Sequence, residues 1–73
     1  MEGDILFCAV VEGDRDLLVA TIHEALQEGV TPQTILQEGI INGMAEVGRL
    51  FEQGEYFVPE MLLSARAVKD ALQ

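Results

Sequence analysis

Tryptophan is missing from this 73-residue chain, and cysteine and histidine occur once each. A single cysteine cannot close an internal disulfide, so the fold has to be held by packing, and a reducing, cytoplasmic location is the default expectation. Catalytic zinc takes about three protein ligands, which one histidine and one cysteine do not supply. Positive charge is equally scarce: four Lys and Arg stand against thirteen Asp and Glu, a formal charge of −9. Such a balance repels phosphate backbones and anionic lipid, which excludes nucleic acid and membrane surfaces as partners. No run approaches the roughly 18 consecutive apolar residues of a membrane span. Met1-Glu2-Gly3-Asp4 carries no basic region, so the short apolar run after it is no signal peptide. Only two prolines and an apolar content of 49% argue against disorder and for one small packed helical domain.

What is present is punctuation for helices. Ile5, Leu6, Ala9 and Val10 form a stripe after Asp4, and Cys8 among them reads as a small buried residue. Gly13 stops that helix and Asp14 caps the next, whose apolar face is Leu18, Ile22, Ala25 and Leu26. Gly29 ends it. Thr31 and Pro32 then open the longest helix, predicted to about Gln53, with Leu36, Ile40, Gly43, Met44, Val47, Leu50 and Phe51 spaced by three and four. Glycines inside this helix cost about 0.5–1 kcal/mol each relative to alanine, which asks for a compensating gain. Gly39 and Gly43 lie one turn apart, so close approach of a neighbouring helix supplies one. After Gly54, Pro59 starts a last helix with Glu60 at its positive end and Met61, Leu62, Ala65, Val68 and Leu72 as its stripe. No stop signal precedes Gln73, so the chain reads as a piece with a continuation. Short connections between four helices predict an all-α, small antiparallel four-helix bundle. Apolar helix faces left uncovered by so small a core would suit a further domain or a second copy, which makes a homo-oligomer one expectation.

Candidate chemistry is sparse. His23 sits mid-helix beside a core position and reads as structural; the di-iron bundle signature wants glutamate three residues earlier, where Ala20 stands. Glu46, Glu52, Glu55 and Glu60 read as solvated helix ends and not as an acid/base pair in a cleft. Ser64 has no base placed to activate it and reads as a packing residue. No catalytic or metal-binding residue is therefore assigned. Phe51, one turn before a glycine stop, and Val58, just before Pro59, fit two roles: closing the bundle, or covering something flat and apolar.

The spaced pattern of Gly29, Pro32, Ile35-Leu36, Gly39, Gly43-Met44, Val47-Gly48, Leu50-Phe51, Gly54 and Tyr56-Phe57-Val58-Pro59-Glu60, continuing to Ala65 and Val68-Lys69, resembles the N-terminal helical cap of cobalamin-binding modules. Such caps occur in methionine synthase and in the corrinoid proteins of methylamine and methanol methyltransferase systems. The resemblance implies that residues 1–73 are the cap portion of a corrinoid methyl-carrier protein, lying over the upper, methyl face of cobalamin. In methionine synthase a Phe matching Phe51 and a Leu matching Val58 pack on the cobalt-bound methyl, which implies that Phe51 and Val58 are the cofactor-binding residues here. Valine shortens the reach of that position. It implies as partners a Rossmann-like corrinoid-binding domain and methyltransferase subunits, with no catalysis by the cap alone. The lower cobalt ligand in this family comes from an Asp-x-His-x-x-Gly motif in the Rossmann-like domain. That motif is not among these residues, so cobalamin is expected only together with the companion domain. Met61 and Leu62 stand where the light-sensing branch of the family has Glu-His. The alternative, resting on the residues alone, is a free-standing acidic helical module for protein interaction or dimerisation.

Overall fold

Three glycines set the course of the backbone. The computed structural model of the chain describes residues 2–72. Its helices are α1 (Glu2–Glu12), α2 (Arg15–Gln27), α3 over residues 32–52 and α4 (Val58–Ala71). Gly13, Gly29 and Gly54, with φ of 69°, 93° and 78°, follow the first three. Each stop is closed in the same way. At the end of α3 the Gly54 N–H donates to the Phe51 carbonyl at 3.1 Å, and the Glu55 N–H to that of Leu50 at 2.9 Å. This Schellman closure satisfies carbonyls that the helix leaves open, and its left-handed residue costs a non-glycine about 1–2 kcal/mol.

Helix starts follow the capping rules. Asp14 Oδ1 accepts the Leu17 N–H at 3.1 Å, and Thr31 Oγ1 accepts that of Thr34 at 3.2 Å. α4 begins at Val58, one residue before the proline expected to start it, and Glu60 Oε1 accepts the Phe57 N–H at 2.7 Å. These side chains take up amide donors that a first turn cannot satisfy internally.

The product is an all-α four-helix bundle in which α1 packs against each of the other helices. Leu6, Ala9 and Val10 of α1 meet Leu18 and Ala25 of α2, Ile35 and Ile40 of α3, and Ala67 of α4 in one core. The gain that offsets the inner glycines lies on the α1–α3 seam. A Cβ on Gly39 would stand 2.7 Å from Leu6 Cβ, and one on Gly43 would stand 2.7 Å from Val10 Cβ. The backbone of α3 therefore lies against the side chains of α1. Gly48 has open space where its side chain would be, so no packing gain attaches to it.

Several apolar stripes sit differently from their helical reading. Cys8 is exposed, because the inward side of α1 belongs to Leu6, Ala9 and Val10. Within α3, Pro32–Thr34 is α-helical, Ile35–Ile41 is π-helical and Asn42–Glu52 is α-helical again. Residues five apart in an α-helix lie about 140° around the axis from one another. The wider π turn, with its i to i+5 spacing, brings Ile35 and Ile40 into the core together. Leu36, assigned to the stripe on α spacing, is 40% exposed as a result. On α4 the inner face is made by Ser64 and Ala67 with Met61, Val68 and Ala71, while Leu62, Ala65 and Leu72 face outward. Gly13 explains this: its absent side chain lets Leu63 Cβ and the α4 backbone come within 3.0–3.3 Å of the Cβ position. Small residues win the inner face where helices come that close.

Candidate functional site

The corner between α3 and α4 is where the chain leaves its largest side chains in solvent. Phe51, in the last turn of α3, is 44% exposed, and Val58, the first residue of α4, is 57% exposed. Phe57 between them is 63% exposed. Neither Phe51 nor Val58 closes the bundle, so the packing role open to them on spacing alone is not the one they take. Buried fully, an aromatic or branched side chain contributes about 1.5–3 kcal/mol to folding. Leaving three such side chains about half exposed forgoes roughly half of that.

The corner is open yet not loose. The Schellman bonds of Leu50 and Phe51 hold its near side, and the Glu60 carboxylate on the Phe57 N–H holds its far side. Between them Tyr56 Oη donates to the carbonyl oxygen of Val11 at 2.7 Å, and Ser64 Oγ donates to the same oxygen at 3.3 Å. Two hydroxyls from either side of the α4 start thus converge on one carbonyl at the end of α1. Ser64 is fully buried, in keeping with its packing reading.

Charged groups around the corner are surface groups. Arg49 Nε donates to Glu46 Oε1 at 2.7 Å, and its Nη2 to Oε2. That hydrogen bonding holds the Glu46 carboxyl below its ordinary range and raises Arg49. Glu52 and Glu55 are exposed, and Glu60 is engaged as a cap. His23 is exposed on α2. Among the described residues no three His, Cys, Asp or Glu side chains stand together as a metal cluster. No helix of the described residues is long and apolar enough to cross a membrane. The exposed apolar side chains Phe51, Phe57 and Val58, held in place by these hydrogen bonds, suit a flat apolar ligand face. Phe57 and Tyr56 belong to this site although spacing assigned them no role. Their adjacency to Val58 in an aromatic run was the signal available.

A family model described as B12 binding domain matches residues 4–73. Trimethylamine corrinoid protein 1 of Methanosarcina acetivorans is 35% identical over 65 residues, which is 89% of this chain and 30% of that protein. A corrinoid protein of Desulfitobacterium hafniense is 32% identical over 69 residues, 94% of this chain and 32% of its own length. Dimethylamine corrinoid protein 1 of Methanosarcina acetivorans is 37% identical over 60 residues, 82% of this chain and 28% of its own. The chain thus spans about a third of the length of these relatives.

Proposed function

We propose a function from one premise: this chain belongs to the B12 binding domain family. It serves as the cap of a corrinoid methyl-carrier protein and covers the methyl side of the cofactor with Phe51 and Val58. When bound, the corrinoid would carry the transferable methyl group on its cobalt, and a Rossmann-like domain accompanying the cap would hold it. The observation that carries this reading is the exposed apolar corner of Phe51, Phe57 and Val58, fixed on one side by backbone hydrogen bonds and on the other by the Glu60 carboxylate on the Phe57 N–H.

Phe51 presents a ring and Val58 a branched methyl pair, and neither carries a polar atom that would hold water at the surface they cover. Exclusion of water from a reactive bond requires a dry contact of this kind. Transfer to an acceptor requires the contact to be given up, so the cap acts as a lid. The bundle suits such motion as a unit, because its core is closed by Leu6, Val10, Leu18 and Val47 without help from the corner residues. The lid performs no bond chemistry. Methyltransferase subunits that load and unload the carrier are its partners in this reading, as the relatives' methylamine corrinoid proteins suggest.

The test is photochemical. The chain is combined with its companion domain and methylcobalamin, and the photolysis rate and visible spectrum are followed. Phe51→Ala is expected to speed photolysis and shift the spectrum; if both stay at wild-type values, the lid assignment is wrong.

A further inference from the structure

α4 turns a second, chemically different surface outward. Ser64 and Ala67 are buried on its inner side. Leu62, Ala65, Arg66 and Lys69 share the opposite side, at spacings of three and four that make them neighbours. Leu62 is 60% and Leu63 56% exposed. Two shallow grooves of about 300 and 340 Å³ run along this helix, and both are lined by Leu62 and Arg66.

Charge singles this face out. Of the four basic residues, Arg15 is paired with Asp16 and Asp70, and Arg49 with Glu46. Arg66 and Lys69 have no ion pair among the described residues, although thirteen acidic residues are present in the chain. Among the described residues the Lys and Arg side chains without an ion pair are thus gathered on one helix, beside its exposed leucines. Long basic side chains flanking an apolar groove complement a partner that brings carboxylates around an apolar anchor.

We propose that the outer face of α4 is a docking surface for an acidic amphipathic helix of a partner protein. An apolar side chain of that helix enters the groove at Leu62, and its carboxylates meet Arg66 and Lys69. A second copy fits less well: two-fold pairing of this face would bring four cations into one stripe, and the nearby Asp70 is already held by Arg15. Anionic lipid and nucleic acid present extended arrays of phosphates and call for a broader cationic surface than the two side chains Arg66 and Lys69. The proposal uses neither Phe51 nor Val58, so it stands or falls apart from the lid.

The test titrates the ¹⁵N-labelled chain with a synthetic helical peptide bearing a leucine stripe flanked by glutamates, and with the same peptide carrying lysines instead. Saturable amide shifts are expected at Leu62, Leu63, Ala65, Arg66 and Lys69 with the glutamate peptide. Binding is expected to weaken about ten-fold in the double variant Arg66→Glu, Lys69→Glu, and to weaken with added salt. Leu62→Asp, with both cations kept, is expected to abolish the shifts while circular dichroism shows an intact bundle. Equal response to both peptides, or shifts confined to other helices, overturns the proposal. So does a doubling of mass that follows the same residues, which assigns the face to a second copy. Equal perturbation by anionic phosphatidylserine vesicles assigns it to lipid and likewise overturns it.

Discussion

The middle and the end of α3 use apolar surface in opposite ways. At its middle, Gly39 and Gly43 lay bare backbone against Leu6 and Val10, and the helices meet with no room for one more carbon atom. At its end, Phe51 stands 44% exposed beside a loop. The middle gives up side chains to gain contact, and the end keeps a large side chain and forgoes contact. A helix designed for stability alone would exchange the two. The difference teaches that the α1–α3 seam is shaped for close contact, which leaves the corner free to be shaped for something other than folding.

Adding a methyl group to the seam is the strongest way to break this contrast. Gly43→Ala places a carbon 2.7 Å from Val10 Cβ and Cγ1. The resulting overpacking is expected to cost about 1–3 kcal/mol, less what alanine's helix propensity returns, as read from urea denaturation. A neutral result would show that the seam is slack. Tyr56→Phe should come next, with a loss of about 0.5–1.5 kcal/mol for the bond to Val11. Amide exchange should then quicken at Phe57, whose N–H is held by Glu60, whereas Ser64→Ala, which removes the longer bond to the same oxygen, should change that amide less.

Gly48→Ala sharpens the comparison from the other side. With no atom near its missing side chain, it is expected to stabilise the bundle by about 0.5–1 kcal/mol in the same assay. Phe57→Ala and Val58→Ala should change stability by no more than about 0.5 kcal/mol, as for exposed positions generally. A larger loss would make the corner part of the fold. The smallest effect belongs to the exposed Glu46–Arg49 pair. Since Glu46 titrates below its ordinary range in the folded chain, its contribution is present above the unfolded-state value and fades as pH falls through the folded one. Acid titration of wild type against Glu46→Gln checks the sign.

Much of the fold was legible in residue types. Gly13, Gly29 and Gly54 mark the stops, Asp14, Thr31 and Glu60 mark the starts, and the costly glycines at 39 and 43 point to a close neighbour. Periodicity failed where two stripes competed on one helix. On α4 the larger residues Leu62 and Leu72 win any ranking by hydrophobicity, yet close approach at Gly13 selects Ser64 and Ala67. The π segment left no mark, because α spacing back from Ile40 reaches Leu36 and π spacing reaches Ile35, and both are apolar. Cys8 was misread because its apolar neighbours obscured its side of α1. Within the candidate site, Phe51 and Val58 could be named from their places beside a glycine and a proline. The Tyr56 bond could not, since a hydroxyl on a carbonyl 45 residues away follows no spacing rule.

The three glycine stops also bear on how quickly the chain finds its shape. Each reversal is closed by hydrogen bonds between residues three and five apart, so three of the turns need no distant partner to form. Topologies built from such local contacts fold in microseconds to milliseconds. The Val11 carbonyl is the exception: it joins α1 to residues 45 and 53 positions later. Loop closure of that length is costly before native contacts reward it. Substitutions at Tyr56 and Ser64 should therefore speed unfolding and leave the folding limb of a chevron almost unmoved.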